Sequence, residues 1–427
     1  MVRLLSAAAP LVVAAALAAP AAAATFCVHQ GTGCPAGAVD EGADLQEALD
    51  DAAAAAGPDQ VTIGSGTYTG PFDYTHPSPV SIVGAGAGAT TLDAADDAAS
   101  HDRVLAAGGA DVSRLTVRIP VIQGWAGIAV GESAVVRDVA VAAKVLDPLS
   151  DDAVAGVILD GDAGLRSSAV DVAGGTAVAL RGGEHSVMDS TLSGGAALLA
   201  TPSAPVASVV RRSSLTGARP VVVQDAELVI ENSVLRATGA DSRGLTARCG
   251  LGPTASVITA DHVTLLGPGN GMGILAHCVS AGETTLLTVT NSIVRGFAQA
   301  FTREAKNGGT AVVEAAYSDL ENVAASTQLG PDPAALSSVV DVDPLLAADG
   351  YRLRTGSPLI DAGAPGPAAQ IIDFGHGARR FGAAQDIGAD EYDPANPPPD
   401  PAPGTPPGGQ APPAFGAPLA LAAEARR

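Results

Sequence analysis

Aromatic side chains make up only 3% of this 427-residue chain, with a single Trp, and lysine occurs twice, at Lys144 and Lys306. A core built on stacked rings is excluded, and a sugar cleft would have few ring platforms. Basic charge is also scarce: 23 Lys and Arg stand against 45 Asp and Glu, for a net charge of −22. Nucleic-acid binding and electrostatic docking on anionic lipid are therefore not expected. The four cysteines include no C-x-x-C pair, so the spacing of a thiolate metal centre is missing. The N-terminal apolar stretch from Leu11 to Ala19 is too short to span a bilayer.

What is present begins with that stretch. Arg3 supplies a charged start, and Ala22-Ala23-Ala24 forms a small-residue cleavage pattern, so residues 1–24 have the form of a secretory signal. The mature chain is expected to begin near Thr25, with oxidised cysteines and no membrane-spanning segment. The 51 glycines and 31 prolines carry no collagen-like period and imply very frequent turns.

The middle of the chain repeats one phrase: a short β-branched run, a small polar doublet, an apolar residue and another short run. Examples are Leu228-Val229-Ile230-Glu231-Asn232-Ser233-Val234-Leu235 and Leu287-Thr288-Val289-Thr290-Asn291-Ser292-Ile293-Val294. With the apolar residue after the doublet as marker, the copies are Leu115, Val139, Val170, Leu192, Leu215, Val234, Val263, Ile293 and Leu320, at intervals of 19 to 31 residues. One phrase repeated in one direction, with short strands and glycine-rich turns, suits a parallel β-helix of about ten to twelve coils. A β-sandwich would show hairpin turns instead.

Two positions before the markers lie Ser113, Arg137, Ser168, Ser190, Ser213, Asn232, Asp261, Asn291 and Ser318. Apart from Arg137 these are small and polar, and in stacked coils they would form a turn ladder that satisfies backbone donors; a structural role is expected. Cys249 and Cys278 precede their markers by nearly the same distance, so stacking pairs them and leaves Cys27 to pair with Cys34.

Before the repeats, Leu45-Gln46-Glu47-Ala48-Leu49 has helical periodicity and is followed by Gly66-Thr67-Tyr68 and Ile82-Val83-Gly84-Ala85-Gly86. This run resembles the N-terminal entry of secreted, pectin-lyase-like right-handed β-helix proteins. The resemblance implies an all-β fold, a right-handed parallel β-helix solenoid with an N-terminal helical cap. Later, Asp343-Pro344-Leu345, Gly356-Ser357-Pro358-Leu359-Ile360-Asp361-Ala362-Gly363, Asp373, Arg379-Arg380 and Asp386-Ile387-Gly388-Ala389-Asp390-Glu391 resemble the choice-of-anchor Q domain that terminates bacterial β-helix proteins. The expected organisation is a signal over 1–24, a cap and first coil over 25–79, coils over 80–340, the terminal module over 341–393 and a Pro-rich, disordered tail over 394–427. Asp361 and Asp386 are expected to bond backbone amides.

Enzymes on the resembled fold act mostly on acidic polysaccharides. A lyase would need Ca²⁺ held by several carboxylates and a nearby base. The densest acidic run offers Asp93, Asp96, Asp97 and Asp102, followed by Arg103, Arg114 and Arg118. A hydrolase would need clustered aspartates, but Asp151-Asp152 and Gly375-His376-Gly377 lie about nine coils apart by sequence count, roughly 40 Å. His262 and Asp261 alternate along a strand and need not meet. The leading expectation is therefore a non-catalytic, extracellular, monomeric protein presenting a face for adhesion or glycan contact. Its partner would be a polysaccharide or a cell-envelope component, and no cofactor is required. The alternative is a polysaccharide lyase or glycoside hydrolase at Asp96, Asp97, Asp102 and Arg103, with Ca²⁺ as its metal.

Overall fold

A computed structural model of the protein describes residues 23–31, 33–94, 102–119, 124–143, 154–201, 207–250, 255–330, 334–366 and 371–399. Every strand-to-strand ladder in it is parallel, and strands pair with their counterparts in the preceding and following coils. The result is a right-handed parallel β-helix, the handedness that parallel crossovers take. Along one strand stack, Val117, Val141, Val170, Leu192, Leu215, Leu235, Leu265, Val294 and Leu320 lie in successive register and are all buried. Aliphatic layers of this kind replace the missing aromatics, since a narrow interior has room for branched side chains but little for rings.

At one corner of each coil the chain turns through a residue with left-handed backbone. Arg114, Asp138, Ser167, Asp189, Arg212, Asn232, His262, Asn291 and Tyr317 all have φ between 45° and 60°. The next residue is where the ladder forms. Ser168, Ser190 and Ser213 each bond the carbonyl two residues back through Oγ, at 2.7, 2.7 and 2.9 Å. Each Oγ also accepts an amide from the previous coil: Val139 N to Ser168, Ser168 N to Ser190, and Ser190 N to Ser213. Ser233, Ser292 and Ser318 do the same.

Part of the sequence-derived column therefore lies elsewhere. Asn232 and Asn291 stand one residue earlier, at the left-handed bend, while Ser113, Arg137 and Asp261 stand two earlier, at the end of the preceding strand. The cause is the marker. Val234 and Ile293 are apolar but face outward beneath the C-terminal segment. Leu115, Val139 and Val263 are aliphatic at the ladder position itself, so a fixed offset from an apolar residue mixes three columns.

The N-terminal end is covered by the helix Leu45–Ala54, capped where the Asp44 side chain accepts the Glu47 amide at 3.1 Å. Its apolar face of Leu45, Ala48, Leu49 and Ala52 is buried. Cys27 pairs with Cys34 and Cys249 with Cys278, at Cα separations of 5.7 and 4.9 Å. The second pair ties two neighbouring coils. No helix among the described residues is long and apolar enough to cross a membrane.

From Asp341 to Asp393 the chain leaves the solenoid path and folds back along its flank. Leu346, Leu353, Leu359 and Ile387 pack on Ile293, while Tyr351, Phe374 and Ala389 pack on Val234. Asp361 accepts the Ala384 amide, and Asp386 accepts those of Asp361 and Tyr392. The segment reaches back to Asp189, 3.6 Å from His376. His376 thus lies beside an early coil despite its late place in the sequence, while Asp151 and Asp152, from which nine coils were counted, lie outside the described residues.

Candidate functional site: an arginine-bearing face and its groove

The stack that includes Arg103–Gly108, Trp125–Val130, Val154–Asp160, Arg243–Arg248 and Met272–Cys278 presents an outward face away from the C-terminal segment. Its middle column runs in register through Ala106, Ala129, Ile158 and Ala179 to Val222, Thr246 and Leu275. These side chains are small or aliphatic, so the face is low along its centre. Charge lies on both sides of it. Arg219 and Arg243 share one flanking column, each two residues before the paired Val221 and Leu245. On the other side Gln224, Arg248, His277 and Glu304 are in register, and Asp160 stands opposite Arg181.

Burial holds the Arg219 guanidinium below the ordinary arginine value, and the charges of Arg243 and Arg248 push it the same way. Farther along, His277 lies 3.5 Å from Glu304, which also pairs with Lys306.

Near the N-terminal coils the same face hollows into a groove lined by His76, Arg103, Glu132 and Asp160 together with Thr75 and Ala129. Glycines leave the space open. Gly108 has φ +47°, and a Cβ there would come within 2.9 Å of the Tyr74 carbonyl oxygen, so backbone geometry requires glycine.

The acidic run is only partly gathered. Asp102 and Arg103 form an ion pair at 3.2 Å, with the Asp102 side chain 71% exposed. Asp96 and Asp97 lie outside the described residues. Arg118 stands opposite Asp93 in a different strand stack, and Arg114 is spent on the corner, donating to the Ala85 carbonyl at 3.1 Å. Sequence reading did not identify Glu132, Asp160 or the arginine cluster. The only signal for the cluster was its spacing: Arg219 and Arg243 are one coil apart.

His262 and Asp261, which by strand alternation need not meet, lie 3.1 Å apart, because the left-handed bend at His262 interrupts that alternation. Burial pushes the His262 pKa down, and nearby Arg379 adds to the effect. This pair lies beneath the C-terminal segment, away from the groove. Among the described residues one cluster has metal-ligand proximity, His29, Cys34 and Asp40, but the Cys34 sulfur is committed to its disulfide.

No protein-family model matches the chain, and no curated protein matches it in sequence. Solved structures do. Pectate lyase Pel9A superposes with a TM-score of 0.51 at 13% identity, covering 86% of this chain and 96% of its own. An alginate lyase from Paenibacillus sp. str. FPU-7 aligns at 15% identity over 62% of this chain and 96% of its own, TM-score 0.39. The A-module of the mannuronan C-5 epimerase AlgE6 from Azotobacter vinelandii aligns at 15% identity over 70% and 94%, TM-score 0.37. At such identities the likeness to Pel9A concerns the fold, and the chain shares with that protein the parallel β-helix.

Proposed function

We propose that this is a secreted β-helix protein that holds an acidic polysaccharide along its arginine-bearing face, as a surface or matrix component and not as a catalyst. One observation carries the reading: Arg219 and Arg243 follow one another in a single column of adjacent coils and Arg248 flanks the same strand stack on its other side, in a chain whose net charge is −22. Cations on both sides of a low apolar centre suit an extended polyanion whose carboxylates repeat along the coil axis. Two disulfides fit an extracellular setting. In this reading the segment 341–393 is a choice-of-anchor Q module that closes the flank. The test is a pair of binding isotherms, polyuronate against neutral glucan. Saturable, salt-sensitive binding of the polyuronate alone supports the proposal, and a flat isotherm with polyuronates ends it.

The groove supports a second reading, a polysaccharide lyase or hydrolase. Arg103, His76, Glu132 and Asp160 offer a cation, a titratable imidazole and two carboxylates around one hollow. Incubation with polyuronates and Ca²⁺, following unsaturated products and new reducing ends, separates the two readings. Turnover abolished by Arg103→Ala would favour the enzyme.

A further inference from the structure

Ala24 is the first described residue that the fold holds on both sides of its peptide plane. Its N–H donates to Asp59 Oδ1 at 2.7 Å, and its carbonyl accepts the Gln60 amide at 2.9 Å. These bonds extend the parallel pairing of Thr25–Val28 with Asp59–Ile63 by one residue. Ala23, immediately before, is exposed. Among the described residues, bonding to the first coil therefore begins at Ala24.

Asp59 is an unusual partner for a neutral amide. It is 2% exposed, and its second oxygen, Oδ2, is buried without a hydrogen-bond donor among the described residues. A buried carboxylate met by one neutral N–H is poorly compensated. An α-ammonium at the same nitrogen would bring a positive charge and three protons, enough to serve both oxygens. The sequence allows it: Ala21-Ala22-Ala23 meets the small-x-small requirement of signal cleavage as well as the frame one residue later.

We propose that a signal peptidase cuts this chain between Ala23 and Ala24, and that the new α-ammonium of Ala24 forms a buried ion pair with Asp59. Water adds to the Ala23 carbonyl carbon and the C–N bond breaks. The leader departs with a carboxylate at Ala23, and the Ala24 nitrogen takes up protons to become –NH₃⁺. Cutting after Ala24 would delete both of that residue's bonds, including its donation to Asp59 Oδ1. Cutting before it converts a weak contact into an ion pair, so the first coil tightens once the leader is gone.

Secretion of the full chain from a bacterial host, followed by intact mass and N-terminal sequencing, reads the cut directly. The expected first residue is Ala24; a start at Thr25 or beyond, or retention of the leader, overturns the proposal. The ion pair is read by comparing the chain that starts with a free Ala24 amine with the same chain Nα-acetylated and with one that retains Ala23. Both blocked forms should melt about 2 °C or more lower at pH 6, and Asp59→Asn should erase the difference. Equal Tm for all three forms overturns the pairing, and this comparison stands even where Asp59→Asn fails to fold.

Discussion

Arg379 and Asn232, 147 residues apart in the chain, share a hydrogen bond of 3.3 Å in the protein interior, from Arg379 Nη1 to Asn232 Oδ1. Asn232 also donates through Nδ2 to the Ile372 carbonyl at 2.8 Å, so one side chain joins a coil corner to two points of the C-terminal segment. Arg379 donates further to the carbonyls of Ala389, Gly388 and Asp386, and its Nε lies 3.6 Å from Glu391. Asn291, at the same kind of bend, does parallel work: its carbonyl accepts the Gly388 amide and its Oδ1 accepts that of Ala364.

Asn232 therefore has two separable roles, a left-handed backbone and a docking contact. Asn232→Ala should lose both, at a cost of about 2–3 kcal/mol. Asn232→Gly keeps the bend at φ 46° easy but loses the docking bonds, and should recover only part of that cost. Urea unfolding of the three proteins checks this. Full recovery by glycine would show that the side chain does not hold the segment.

Docking should weaken in alkali. Burial pushes Glu391 up to about 8, with Asp386 adding, and burial pushes Asp390 up to about 7, with Asp373 adding. Both pKa values lie above their ordinary carboxylate values. The stability these groups contribute is thus fully present below those ordinary values and is lost as pH rises through about 7 and then about 8. His262 acts at the other end: burial lowers its pKa, so its contribution is lost as pH falls through the ordinary histidine range. Calorimetric Tm should accordingly fall from pH 6 to pH 9. In Glu391→Gln the alkaline fall should be shallower, because one of the two titrating groups is gone.

The serine ladder predicts coupling between coils. Ser190 N donates to Ser213 Oγ, and Ser213 Oγ donates in turn to the Arg211 carbonyl, so one hydroxyl satisfies a donor and an acceptor in different coils. Ser213→Ala should cost about 1–2 kcal/mol by leaving the buried Ser190 amide without that acceptor. Ser190→Ala should cost a similar amount. The double mutant should depart from additivity by about 0.5 kcal/mol or more, since the two hydroxyls share a corner. Denaturant unfolding of the cycle measures it.

The solenoid was legible because its cause is periodic. The β-branched runs, the polar doublets and the matched positions of Cys249 and Cys278 each repeat with the coil. The phase of the doublet was less legible. Apolar residues serve the interior at Leu192, the ladder position at Val263 and the docked segment at Val234, and sequence alone does not distinguish those environments. The return of the C-terminal segment could not be read at all. It depends on contacts such as Asn232 with Arg379, whose sequence separation hides them. The arginine face was hidden for a related reason: Arg219 and Arg243 fall into one column only after the coil register is known.

That register yields the last prediction. Arg219 and Arg243 occupy one column, one inter-strand spacing or roughly 4.8 Å apart along the axis, and Arg248 stands on the opposite flank, so a polyanion lying on the central column would have cations on both sides. Each single Arg→Ala change should weaken polyuronate binding about 3- to 10-fold. Partly exposed charge pairs contribute modestly, and the remaining arginines keep the ligand in place. The triple variant should lose binding altogether and, with it, the salt dependence of the isotherm. Binding retained in a folded triple variant would move the polysaccharide site off this face, with the groove at Arg103 as the next place to test.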